Sequence, residues 1–361
     1  QSERNDTYRK YIKLLIDNGS AYISKETEGD RSEVIRFKNP NKKIKFTDLI
    51  RGEVEIDTTD LKDFVIARDM DEPLYHLTVV VDDHEMGITH IIRGDDGISN
   101  TPRQILIQEG IGAKRPIYAH IPLILATDRS KLSGRHGAVS VTEFRDLGYL
   151  PEAFVNFLAL LGWNPGGEQE IYSMDELINI FTLEKVQKAG AIFNIEKLNW
   201  FNKKYIEKLD EGTFLQHAKK FMPKDLSEDT LKKILPLLKD KISFFAQIPE
   251  LFKTELSFIY GVGEYPVEKL MWKQEKDLSA SKTHLKSVME IISEFSEEDF
   301  TAEKIKTALW PLAEKHGKGN VLWPTRFALS GQDKSPDPFI ISAILGKKET
   351  LKRLNTAHER I

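Results

Sequence analysis

The chain has 361 residues, no cysteine, and a net charge of −4 from 52 basic and 56 acidic side chains. Disulfides, thiolate zinc sites, iron–sulfur clusters and cysteine nucleophiles are ruled out, as is an indiscriminate binder of polyanions; the lack of cysteine also points to a reducing compartment. With 40% hydrophobic and 30% charged residues it reads as a globular protein of two or three domains, and no apolar run reaches the ~18–20 residues of a membrane span.

Residues 1–19 carry helical periodicity in Tyr8, Tyr11, Ile12, Leu15 and Ile16, with Asn18-Gly19 as a stop. Between 21 and 72, alternating or β-branched runs separated by polar turns predict strands at 32–37, 44–46, 54–56 and 64–68. Residues 77–81 and 88–92 read as dense apolar strands. Thr101-Pro102 opens a helix, with Pro where its missing N–H costs little, that runs to Gly110 or Gly112. Residues 121–125 read as a third buried strand, and strand, helix, strand at this spacing suits a parallel α/β sheet. From Ser140 onward strand signals nearly vanish. Amphipathic helices are predicted at 151–161, 174–180, 207–221, 226–238, 284–295 and 301–315, so 210–361 is expected to be a separate all-α unit. Trp163, Trp200, Trp310 and Trp323 fall in apolar helical contexts and are expected in cores. Residues 1–180 hold 22 basic and 30 acidic groups, residues 181–361 hold 30 and 26. The positive second half reads either as a lysine-studded helical surface or as a nucleic-acid footprint.

Three polar stretches could carry chemistry. Asp82-Asp83-His84 follows the predicted strand at 77–81, at the strand end where α/β sheets place ligands; the alternative is a polar turn, and the set is too small to define a metal site. Arg93-Gly94-Asp95-Asp96-Gly97 leaves the next predicted strand. Arg93 there could fork onto a carboxylate and Asp96 could accept sugar hydroxyls, while Ser99-Asn100-Thr101 caps the following helix. The stretch 129–138, RSKLSGRHGA, interleaves cations with small residues and reads as a phosphate-wrapping loop or as a solvated basic one; it is not a P-loop. No nucleophile elbow and no H-E-x-x-H spacing occurs.

These segments, in this order, resemble the bacterial glutamyl-tRNA synthetases, a family of class I aminoacyl-tRNA synthetases. The matching stretches are FTDLIRG (46–52), YHLTVVVDD (75–83), MGITHIIRGDD (86–96), NTPRQ (100–104), KLSGRHGAVSV (131–141) and GYLPEAFVNFLALLGWNP (148–165). They continue with KLNWFNKKYI (197–206), LWPTRFALSG (322–331) and LGKKE (345–349). The resemblance implies an α/β plus all-α protein: a partial Rossmann-type nucleotide-binding fold with an inserted α+β domain and a C-terminal helical domain. It implies an acceptor-end-binding insertion at 1–74, the second half of the catalytic domain at 75–140, stem-contact helices at 141–210 and an anticodon-binding domain at 211–361.

The function so implied is a cytoplasmic, usually monomeric ligase that attaches glutamate to tRNA(Glu) through glutamyl-adenylate, using ATP with Mg2+. By position, Tyr75, His76 and Arg93 would hold glutamate, with Arg93 on a carboxylate. Asp96 would lie near the ATP ribose. Lys131, Leu132, Ser133, Gly134 and Arg135 would form the mobile loop on the ATP phosphates, with Lys131, Ser133 and Arg135 the catalytic members. That loop has Gly134 where the family usually has a second lysine, leaving Lys131 and Arg135 to compensate. The family's upstream His-x-Gly-His segment has no counterpart here, so the chain is expected to be a fragment or a form whose first domain lies elsewhere, the alternative function being a tRNA-binding module without activation. Without cysteine, the zinc site of some relatives is not expected. Shortened paralogues that modify a tRNA base lack the helical half, and the glutaminyl relatives carry a β-rich anticodon region instead.

Overall fold

The structure, a computed structural model, describes residues 1–26, 32–133, 140–273 and 277–361. The chain divides into two compact units, Gln1–Val139 with Phe154–Leu198 and Ser140–Ala153 with Asn199–Ile361.

The first unit opens with α1 (Asn5–Asp17), whose Tyr8, Tyr11, Ile12 and Leu15 are buried as the periodicity requires, and which stops before Gly19 at φ +78°. Strands β1 (Ala21–Lys25) and β2 (Glu33–Phe37) pair antiparallel. Next come β3 (Lys43–Asp48), β4 (Gly52–Asp57) and β5 (Phe64–Ala67), of which β5 joins β2 in a sheet ordered β1-β2-β5. Then follow α2 (Tyr75–Glu85), β6 (His90–Gly94), α3 (Thr101–Ile111) and β7 (Ile117–Ile121). A second sheet has the order β4-β3-β7-β6: β3 and β4 are antiparallel, while β7 is parallel to both β3 and β6. The expected parallel unit is therefore β6-α3-β7, and the sheet it belongs to continues into the hairpin at 43–57. Ile12, Leu15, Phe46, Ile66, Leu77, Val81, Ile105, Ile107 and Tyr118 form the core.

Several readings are corrected. Residues 77–81 are helical, not a strand. Leu77, Val80 and Val81 are buried at i, i+3 and i+4, a spacing hidden inside a β-branched run too short to tell strand from buried helix. Asp82-Asp83-His84 therefore closes α2 rather than a strand, and Asp82 is tied down by the Tyr8 hydroxyl at 2.9 Å and Arg4 at 3.2 Å. The strand expected at 88–92 lies at 90–94. The one expected at 121–125 is split: β7 ends at Ile121, and after Pro122, which has no N–H for a ladder, comes only the short β8 (Ile124–Leu125).

Beyond Ser140 the chain runs α4 (Val141–Asp146), α5 (Pro151–Gly162), α6 (Met174–Ile180), β9 (Ala191–Ile192), α7 (Ile195–Lys208), α8 (Glu211–Ala218), α9 (Glu228–Lys241) and α10 (Ile248–Lys253). It ends with α11 (Ser279–Ser293), α12 (Ala302–His316), α13 (Lys318–Ser330), α14 (Pro338–Leu345) and α15 (Lys347–Arg360). The helix expected at 207–221 is two: α7 runs to Lys208, and Asp210 caps α8 by accepting from the Thr213 amide at 2.9 Å. In the second unit Phe214, Ile234, Leu238, Phe245, Leu285, Val288, Leu309, Val321 and Leu354 build one continuous apolar core. Trp163 is buried as expected, but Trp200 is 38% exposed, because α7 buries Leu198, Phe201 and Ile206 instead.

Candidate active site

The second sheet gathers polar residues at one end. Asp48 is the last residue of β3, His120 the penultimate residue of β7, and Arg93 the penultimate residue of β6. Parallel pairing brings all three to the C-terminal edge of their strands, where open α/β sheets bind ligands. Arg93 and His120 are register partners.

Asp48 and His120 are 1% and 0% exposed. The Asp48 carboxylate accepts from the amides of Ile50 at 3.0 Å, Arg51 at 2.9 Å and His120 at 3.0 Å, and from the His120 ring Nδ1 at 2.6 Å. Burial pushes the Asp48 carboxyl up, but the Arg51 amide, the His120 ring and the other two amides together hold it below the usual carboxylate range. The other ring nitrogen of His120, Nε2, accepts from Arg93 Nε at 3.1 Å. Arginine has only donors, so His120 is the neutral Nδ1–H tautomer. Arg93 Nη2 donates to Thr101 Oγ1 at 2.7 Å, at the first residue of α3. The guanidinium also lies 6.0 Å from the centroid of the buried Tyr118 ring.

A guanidinium has two forks. Arg93 spends the side-on one, Nε with Nη2, on His120 and Thr101. Its end-on N–H groups make no hydrogen bond or ion pair among the described residues and are free to grip a carboxylate bidentately. Gly97 makes the fit possible: a Cβ there would sit 2.7 Å from Arg93 Nε.

Tyr75 starts α2 and is 57% exposed, with its ring centroid 5.4 Å from that of His76. His76 is half-buried, and its Nδ1 and both amide atoms of the buried Gln104 have no hydrogen-bond partner among the described residues. Burial lowers the His76 pKa, and the charges of Arg103 and Arg93 lower it further. Asp83 moves the other way, raised by burial and by Asp82 against the pull of Arg93. Asp96 and Lys131, 35 positions apart, form an exposed ion pair at 2.8 Å that lowers the Asp96 carboxyl. Lys131 is presented by a tight turn in which Arg129 has φ +65° and the Ala126 amide donates to the Ser130 carbonyl. The amide of Leu132 reaches back to Ile124, and Ser133 is exposed. Gly134 and Arg135 lie outside the described residues.

The fold thus joins Arg93 to neighbours the sequence reading passed over. Thr101 was read only as a cap, and Asp48, Gly97 and His120 had no assigned role. A signal was present: an Asp in register with Ile44 and Phe46 on one face of an alternating strand, and a His within IYAHI, both need buried partners.

Residues 23–200 match the family described as tRNA synthetases class I (E and Q), catalytic domain, and residues 213–358 match the anticodon binding domain. A glutamate–tRNA ligase of Natranaerobius thermophilus is 34% identical over 100% of this chain and 82% of its own length. One from Aquifex aeolicus is 38% identical over 100% and 84%. The crystal structure of a glutamate tRNA ligase from Elizabethkingia meningosepticum, in complex with its amino acid, superposes with a TM-score of 0.85 at 31% identity, covering 99% of this chain and 83% of that one.

Proposed function

The chain belongs to the glutamate–tRNA ligase family of class I aminoacyl-tRNA synthetases, and from that premise we propose how its residues divide the work of attaching glutamate to tRNA. The reaction activates glutamate as its adenylate, by attack of a carboxylate oxygen on the α-phosphate of ATP with pyrophosphate leaving, and a tRNA hydroxyl then takes the acyl group with AMP leaving. Both steps depend on holding reactants in line and neutralising charge rather than on a strong acid or base.

Arg93 binds a carboxylate of glutamate through its end-on fork, and Tyr75 and His76 line the amino-acid pocket. The observation that carries this reading is that the side-on fork of Arg93 is already occupied by His120 and Thr101, which aims the remaining donors. A lowered His76 pKa keeps that ring neutral near pH 7, so it offers a hydrogen bond without a second charge. Asp96 serves the ATP ribose. Lys131, Leu132 and Ser133, with Gly134 and Arg135, serve the ATP phosphates, and the Lys131–Asp96 ion pair breaks as the nucleotide enters. Mg2+ would enter as part of the ATP substrate and would supply charge neutralisation there, a role that asks for few protein carboxylates. Among the described residues no three His, Asp or Glu side chains converge on a common point.

We assign 1–74 to the tRNA acceptor end, with its hairpin β3–β4 also extending the catalytic sheet, 75–140 to catalysis, 141–210 to the stem and 211–361 to the anticodon. The protein acts in the cytoplasm as a single chain. Its basic second half neutralises tRNA phosphates, so affinity for tRNA falls linearly on a log–log plot against salt. The deciding experiment is Arg93→Ala: glutamylation measured against glutamate concentration should fall at least about 100-fold in kcat/KM with tRNA affinity unchanged. Unaltered glutamate use would remove Arg93 from this role.

A further inference from the structure

We propose that Asp48, His120 and Thr101 are positioning residues that fix the side chain of Arg93 and so set the affinity for glutamate. The proposal rests on the reading of Arg93 as the carboxylate-binding residue.

An arginine leaving the end of a strand has four rotatable side-chain bonds, and a bidentate grip needs its plane held to within ~10–20°. Here that plane is set by two acceptors at the side-on fork, His120 Nε2 and Thr101 Oγ1. Thr101 is carried by the first turn of α3 and His120 by β7, so the two acceptors come from different elements. His120 can accept only as the Nδ1–H tautomer. A protonated ring would point a donor at Arg93 and add a like charge. The partner of Nδ1 therefore decides whether the grip exists, and that partner is Asp48, itself immobilised by three backbone amides. Tyr118 beneath the guanidinium and Gly97 beside it close the remaining directions.

The competing reading is a plain fastener between β3 and β7. A fastener needs no particular ring nitrogen free, no second acceptor at Thr101, and no burial of a carboxylate, which is costly when apolar packing would serve. It also predicts a different experimental result.

In tRNA glutamylation assays, His120→Asn keeps a donor near Nδ1 for Asp48 but loses the acceptor facing Arg93. KM for glutamate should rise about 10–100-fold, with KM for ATP changing less than about threefold. His120→Gln, whose amide oxygen reaches the Nε2 position, should recover most of that loss. Thr101→Val should raise KM for glutamate about tenfold. In an Arg93→Ala background, His120→Asn should add nothing. The ring 15N shifts of His120 should report the Nδ1–H tautomer. If His120→Asn does not fold, His120→Gln and Thr101→Val carry the test. A folded His120→Asn with unchanged KM for glutamate, equal losses for both substrates, or additivity with Arg93→Ala would overturn the proposal while leaving Arg93 in place. If Arg93→Ala itself leaves glutamate use intact, the underlying reading falls and this one with it.

Discussion

Both units have an apolar core and polar bonds between residues far apart in sequence; the first also seats a buried carboxylate and imidazole at the ends of its strands, while the core of the second is the larger. In the first, Asp48 meets His120 across 72 positions, Tyr8 meets Asp82 across 74, and Arg115 meets the Lys45 carbonyl across 70. In the second, the interior is a continuous set of Leu, Ile, Val and Phe from α8 to α15. Some of its charged groups lie over surface rings, Lys318 4.4 Å from the Trp310 centroid and Arg326 4.7 Å from that of Trp323, while Arg353 and Glu255 are largely buried, Arg353 donating to the carbonyls of Phe258 and Leu329. Apolar contacts are non-directional and tolerate small shifts, whereas a buried hydrogen bond is lost within an ångström. The contrast suits a division of labour in which one unit orients a small acid and the other presents a surface.

The largest expected effect tests the directional half of that contrast. Arg93→Ala should remove at least about 100-fold of kcat/KM for glutamate while shifting the melting temperature little, since the residue contributes no apolar core. A comparable loss of melting temperature would mean that Arg93 is a stability residue and that the contrast is misplaced. The converse is Leu285→Ala, at a fully buried position on α11. It should cost about 2–5 kcal/mol, read by urea unfolding, with glutamate affinity unchanged. Glutamate affinity falling in step would dissolve the distinction.

A finer comparison sets Asp48 against Glu255, the carboxylate of the second unit held by Lys241 at 2.5 Å and Lys334 at 2.9 Å. Hydrogen bonding by those lysines outweighs burial and lowers the Glu255 carboxyl, so both acids ionise more readily folded than unfolded. Each contribution is therefore fully present above the unfolded values of about 3.9 and 4.3, and is lost as pH falls through the lower folded value. Asp48→Asn and Glu255→Gln should each destabilise at pH 7 and flatten the acid limb of stability against pH. Salt should weaken the Glu255 contribution more, because the Lys334 partner is 86% exposed and the Asp48 partners are buried amides and a buried ring. Parallel salt curves for the two variants would refute the distinction. The smallest effect is a cap. Asp337 accepts from the amides of Phe339 and Ile340 at the start of α14, and Asp337→Ala should cost about 1 kcal/mol, read by thermal unfolding, without touching glutamate affinity.

What could be read along the chain was either local or a matter of order. The periodicity of α1, the Pro at the start of α3, and the helical run after Ser140 were legible, because caps and amphipathic spacing act over a few residues; of the two glycines that could end α3, the structure uses Gly112. The order of the motifs identified the family, and Arg93, Asp96 and Lys131 stood out as charged residues in turn-rich stretches. The helix at 75–85 was misread because an apolar run of five is short enough for either periodicity, and only its packing against α1 and α3 selects one. The join of β3 to β7, the pairing of Asp48 with His120, and the geometry that turns Thr101 and Gly97 toward Arg93 could not be read along the chain. The first two require the chain to close loops of about 70 residues and pair strands in parallel, and a buried charge finds its partners only after that closure; Gly97 and Thr101 are near Arg93 in sequence, but which atoms they present to it depends on the turn between β6 and α3.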